Sequence, residues 1–228
     1  MRYGTLKLWA AILIAICFVN CEAQTKSPKK AKVDKISTTN KPKTKMEENT
    51  TKPVLNAKFD LQGNVLQVEY KVKNSTTKPI YLFVVLGKPD APNVYAGLRT
   101  DGTLHLAKMI LPLPKFKNVE VRRIPFAKKV EAGEEFAERI EIAVPIAEYN
   151  PYFPKKKDSP EELKTSASVL FSLQFIREID GLEIKPAPVE GAFNVRHRDL
   201  FGNVETLTAE SKSLAVQVLK RTDEFEAF

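Results

Sequence analysis

Apolar and polar residues alternate strictly along NVLQVEYKVKN. Leu66, Val68, Tyr70 and Val72 take one phase, and Gln67, Glu69, Lys71 and Lys73 the other. A period of two sends successive side chains to opposite faces, so the stretch predicts a half-buried strand. After the turn residues of KNSTTKP, IYLFVVLG (80–87) is continuously apolar and predicts a strand covered on both faces. These two strands are expected to pair antiparallel. NVYAGL, TDG and TLHLAKMIL predict a hairpin in which Asp101 and Gly102 can take positive φ. VEVRRIPFAKKV, EAGEE and FAERIEIAVPI predict another pair across Gly133, with Ile140, Ile142 and Val144 alternating with Arg139, Glu141 and Ala143. SASVLFSLQFIREI places Val169, Phe171, Leu173 and Phe175 on one face and Ser168, Ser172 and Gln174 on the other. Short strands around AFNV and VETLT, then SLAVQVLK with Leu214, Val216 and Val218 inward, close the chain.

Strands separated by turns, prolines at strand ends and no amphipathic helix predict an all-β fold, an antiparallel sandwich of about 7 to 10 strands. The order LQVEYKVKN, turn, PIYLFVV resembles the opening of an immunoglobulin-like sandwich of the kind common in exported bacterial proteins. That resemblance implies a fold and no function, and the cysteine and tryptophan marks of antibody domains are absent.

The pattern changes before residue 55. Arg2 and Lys7 precede an uninterrupted apolar run from Leu8 to Val19, followed by Asn20, Cys21, Glu22 and Ala23, the layout of a secretory signal over 1–23. The run is short for a membrane span, which needs about 20 residues. Cleavage after Ala23 would use Cys21 and Ala23 as its small residues and leave a chain starting at Gln24. Alternatively FVNC resembles the bacterial lipoprotein signal, with Phe18 and Asn20 departing from its usual residues; Cys21 would then carry lipid. Contact with a membrane is expected only if Cys21 is lipidated or the signal stays uncleaved.

Residues 24–54, rich in Lys, Thr and Pro, have few apolar positions and no period, and predict a disordered tether. The domain is expected over 55–228. Charge sharpens this division. The net +8 includes nine lysines against Asp34, Glu47 and Glu48 in the tether, a balance of +6, and +1 from residues 1–23. The domain therefore carries only +1. A nucleic-acid partner would require a basic face on the folded unit, so none is expected. The tether could touch an anionic surface.

Both cysteines lie in the signal, which leaves the mature chain without a disulfide or a paired-thiolate metal site. His105 and His197 are the only histidines, and no metal or cofactor is expected. His105 takes the phase opposite Leu104 and Leu106 and is expected to face solvent. Arg196, His197 and Arg198, with Asp199, form a candidate anion cluster, read against a plain surface salt-bridge cluster. STTK (75–78) fits the S-x-x-K of penicillin-binding serine enzymes, but lies in a turn and lacks the partner motifs. Asn49 and Asn74 stand in glycosylation sequons. The loop 145–166 joins Tyr149, Tyr152 and Phe153 to Lys155, Lys156 and Lys157, aromatics beside cations that could grip a sugar or peptide. Burial of Tyr152 and Phe153 would remove that role.

These features point to a non-catalytic binding or structural module of the bacterial cell envelope, periplasmic, secreted or lipid-anchored, with an envelope protein, peptide or glycan as partner. An envelope hydrolase would need distant carboxylates converging in a cleft. A peptide-binding inhibitor or chaperone-like sandwich would need an uncovered, uncharged edge strand.

Overall fold

Alternation becomes architecture in the computed structural model, which describes residues 51–87 and 93–228. The expected signal, Cys21, Asn49 and all but the last four residues of the expected tether lie outside the described residues. In chain order the strands are β1 (Val54–Gln62), β2 (Val65–Lys73), β3 (Ile80–Val85), β4 (Tyr95–Leu98), β5 (Thr103–Lys108), β6 (Phe126–Val130), β7 (Glu135–Ala143), β8 (Ile146–Ala147), β9 (Glu161–Thr165), β10 (Ser168–Arg177), β11 (Glu183–Pro186), β12 (Phe193–Arg196), β13 (Val204–Ser211) and β14 (Gln217–Arg221). A single helical turn, α1 (Leu200–Asn203), precedes β13.

The described chain is an all-β, sandwich-like arrangement of several sheets. One sheet has the order β1-β2-β7 and is antiparallel throughout. The largest runs β11-β12-β6-β3-β10-β5-β4 and is built around β10. Strand β13 occupies one whole edge of β10. The other edge is shared, by parallel β5 over Ser168–Leu173 and antiparallel β3 over Phe175–Arg177. A small third sheet, β8-β14-β9, is stitched to β4 through the Ala96–Tyr149 bridge.

The inward residues read from the period form the main core. Leu66, Val68, Tyr70 and Val72 of β2 meet Ile80, Leu82 and Val84 of β3, Leu104 and Leu106 of β5, and Val169, Phe171, Leu173 and Phe175 of β10. Each such side chain contributes about 1.5–3 kcal/mol when fully buried. The outer face of the large sheet is covered too. Tyr81 and Phe83 of β3 pack with Ile176, Val195 and Leu200, which explains why 80–85 is apolar on both phases.

Several expected pairings are corrected. Strands β2 and β3 belong to different sheets, as do β6 and β7: β2 pairs with β1 and β7, and β3 with β6 and β10. The 74–79 connection therefore crosses between layers. Buried Asn74 holds it, with Nδ2 within 3.0 Å of the Lys78, Val130 and Glu131 carbonyls and Oδ1 accepting from Thr76. The same burial removes Asn74 as a glycan acceptor, because Nδ2 is the atom a glycan would need. Among the described residues there are fourteen strands, not 7 to 10, and the β5–β10 and β8–β14 pairs are parallel. β1 was not expected as a strand, although Leu55, Ala57, Phe59 and Leu61 alternate and face the core.

Where β3 and β5 diverge, Lys108 points into the sandwich on the Leu104–Leu106 phase. It is wholly buried, and its Nζ donates to Val84 O at 3.1 Å and to the Glu138 carboxylate of the facing sheet at 2.7 and 2.8 Å. Tyr70 Oη and Asn93 Nδ2 donate to the same carboxylate. Burial lowers the lysine pKa while Glu138 opposes that shift, and burial with Glu138 raises that of Tyr70. This network joins the two layers.

Candidate functional site

The loop 145–166 does not protrude as a binding loop. It contributes β8 and β9, and Tyr152 and Phe153 are only 9% and 4% exposed, packed with Tyr95, Ala107 and Leu111. The Tyr152 hydroxyl accepts from Arg123 N–H at 3.0 Å. Tyr149 bridges to Ala96, and Lys155 pairs with Glu161 at 2.7 Å, while Lys156 and Lys157 are exposed. Tyr152 and Phe153 thus complete a layer over β4 and β5 and are withdrawn from sugar or peptide contact, and Tyr149 is half-buried beside them. Arg196 ends β12, opposite Glu183 of β11, and Arg198 follows it, both exposed; His197 is half-buried and its Nδ1 accepts from Asp199 N–H at 3.1 Å. Asp199 in turn caps α1, accepting from Gly202 N–H.

His105 takes the predicted phase but not the predicted environment. It is buried, because residues 222–228 fold over the outer face of β4 and β5. One ring nitrogen, Nδ1, lies 2.8 Å from the Phe228 main-chain oxygen, and Nε2 lies 2.8 Å from Ser172 Oγ. The main-chain oxygen can only accept, so Nδ1 carries the proton and Nε2 of the neutral ring accepts from the serine. Burial lowers the pKa of His105, which favours this neutral form.

Further contacts seat this segment. Arg221 donates through Nε and Nη2 to both oxygens of Asp223, at 2.9 and 2.6 Å, and through Nη1 to Phe153 O. Those bonds hold the Asp223 carboxyl down to about 2. Asn150 Nδ2 donates to Glu226 O, and the rings of Phe225 and Phe228 meet those of Phe153 and Tyr95 in tilted and edge-on contact. At Gly97 the approach is closest. A Cβ there would lie 3.1 Å from Ala227 Cβ, so the glycine admits the segment against β4.

Beside this seam lies a cleft of about 740 Å³. It is lined by Leu98, Arg99 and Thr100, by Lys115 and Phe116, and by Lys220, Arg221 and residues 225–228, together with the buried His105 and Glu148. Glu148 is buried and its two oxygens accept from Leu98 N–H and Arg221 N–H, both at 2.7 Å. Burial raises its pKa against the effect of those bonds. The carboxylate thereby ties β4 to β14 beside the cleft. Arg99, Lys115 and Lys220 line the cleft together with Phe116, Phe225 and Phe228. Arg99 also meets the exposed Asp101 carboxylate at 3.6 Å, which leaves Lys115 and Lys220 as the cations without an ion-pair partner among the described residues. This combination suits an anionic ligand bearing an apolar or ring-shaped part.

A second depression, of about 470 Å³, lies on the outer face of β1-β2-β7 among Asn56, Lys58, Glu69, Lys71, Ala137 and Arg139. Its charges neutralise one another, with Arg139 between Glu69 and Glu141 and Lys71 on Glu135. Exposed pairs of this kind contribute little and present no net field to a ligand.

Nothing in the sequence reading pointed to the cleft. Its signals were faint ones, a glycine inside the otherwise apolar YAGL and two phenylalanines, Phe225 and Phe228, in DEFEAF. Comparison with known proteins finds no matching family model, no matching curated protein and no matching solved structure.

Proposed function

We propose that this chain is an exported, non-catalytic binding module of the bacterial cell envelope that takes its ligand in the cleft beside residues 222–228. The observation that carries the reading is the cleft itself: a cavity of about 740 Å³ lined by the cations Arg99, Lys115 and Lys220 and by the rings of Phe116, Phe225 and Phe228. Its ligand is an anionic chain segment with ring-bearing units, an acidic peptide or a charged glycan. The apolar run and basic tether at the start of the sequence support export and retention near the cell surface.

The hydrolase alternative draws less support. Glu148 and Glu226 both line the cleft, but both oxygens of Glu148 hold main-chain N–H groups and serve as structural ties. Edge pairing with a client peptide is opposed by charge, since β9 carries Glu161, Glu162 and Lys164 and β11 carries Glu183 and Lys185.

Fluorescence anisotropy with labelled acidic, tyrosine-containing peptides and acidic oligosaccharides tests the reading. Replacing Arg99 and Lys220 together by alanine is expected to weaken binding at least about tenfold, the loss expected for charge-assisted hydrogen bonds. Equal affinity in the variant and the parent would contradict the assignment.

A further inference from the structure

The connection from β5 to β6, residues 109–125, has seventeen residues and no regular structure. Loops of that length in compact domains are commonly functional. Its base is firmly held. Ile110 and Leu111 are buried, Ile110 N–H donates to Gln174 Oε1 at 2.9 Å, and the Arg122 guanidinium lies 3.9 Å over the Phe201 ring. Met109 and Val119 also pack inward, while four apolar residues are left in solvent: Phe116 is 90% exposed and Val121 77%, and Leu113 and Ile124 are also exposed. A held loop that leaves large apolar side chains in water forgoes their burial and marks a contact surface.

Its charges say what it contacts. Lys115, Lys117, Arg122 and Arg123 interleave with the apolar tips against a single acid, Glu120, a local balance of +3 in a domain of near-zero net charge. Protein interfaces shed lysine from their cores. The bilayer surface instead takes apolar tips into the acyl boundary while lysine and arginine remain at the level of anionic headgroups. The tether, at +6, is drawn to the same surface.

We propose that residues 113–124 dock the domain on an anionic lipid bilayer, with Phe116 and Val121 entering the interface and Lys115 and Arg123 meeting headgroups, while Lys117, its Nζ 4.1 Å over the Phe153 ring, adds positive charge beside them. Lys115 and Phe116 border both this surface and the ligand cleft; the cations Arg99 and Lys220 belong to the cleft alone.

The full chain has one tryptophan, Trp9. Replacing it by phenylalanine and making Phe116→Trp leaves a single reporter on the loop, at a site whose exposure spares the core. Added phosphatidylglycerol vesicles are expected to shift its emission to the blue and to quench it when the lipids are brominated, while pure phosphatidylcholine leaves it unchanged. Lys115→Gln, Lys117→Gln and Arg123→Gln together are expected to lower the vesicle affinity of this signal on the order of a hundredfold at low salt. The Arg99 and Lys220 substitutions leave it intact, which separates this surface from the cleft. Emission that stays water-like on anionic vesicles, even when the chain sediments with them through its first residues, overturns the proposal. So do equal shifts on neutral vesicles, or a shift that needs an added protein partner.

Discussion

Lys108 and Glu138 are the residues on which the sandwich depends most unevenly. Each stands in the inward phase of its strand, Lys108 after Leu104 and Leu106, Glu138 between Phe136 and Ile140, so both were legible as charges directed at the core. Their pairing was not legible, because it requires two strands of different sheets to face one another. Removing Glu138 alone strands a buried ammonium, and Glu138→Ala is expected to destabilise by about 3–5 kcal/mol in denaturant unfolding. Replacing both by leucine is expected to recover much of that loss; a double variant as unstable as the single would show that the charge pair is not the cause. His105 sets a pH dependence. Its pKa lies below the ordinary value near 6.5, mainly through burial, with Arg99 acting in the same direction and the Phe228 oxygen against it. A depressed pKa makes the contribution complete above the unfolded value and lost as pH falls through the folded one. Thermal unfolding is therefore expected to show a fall in Tm from pH 7 to pH 5 that His105→Gln reduces. The raised pKa of Glu148 acts in the opposite sense and is common to both proteins.

Strands were readable one by one because burial on one face imposes a period of two on a single segment. Their neighbours were not, because pairing is set by contacts distant in sequence. The 74–79 turn could equally have returned β3 beside β2; Asn74, reaching carbonyls of the distant 130–131 segment, sends it across to the other sheet. The loop 145–166 was misjudged for a related reason. Aromatics and prolines in a long connection look like an exposed grip, yet here β14 supplies a strand for both β8 and β9, and the rings find cover under residues 222–228. The truly exposed connection, 109–125, was partly disguised as strand by VEVRRI. Gly97 tests the packing of the closing segment. Gly97→Val pushes a branched side chain into Ala227, and by analogy with overpacked cores is expected to cost about 1–3 kcal/mol. Hydrogen exchange should then rise in residues 222–228 and stay unchanged in β1-β2-β7.

The whole molecule divides its charge by region, with most of the net positive charge before residue 55 and a nearly neutral domain after it. That division was fully legible, since it needs only counting along the chain, whereas the cleft needs β4, β14 and the last residues brought together. On the reading of plain secretion, intact mass of the mature protein is expected to correspond to a start at Gln24; a diacyl or triacyl mass on Cys21 would replace secretion by anchoring and leave the domain unaffected. On the proposed reading, ligand recognition is decided in the cleft. Amide chemical-shift mapping of the labelled protein with an acidic, tyrosine-containing peptide should show changes confined to Leu98–Thr100, His105, Lys115–Phe116, Lys220–Arg221 and Phe225–Phe228. Shifts centred instead on the outer face of β1-β2-β7, or none at saturating peptide and acidic oligosaccharide, would contradict the assignment of that cleft as the binding site.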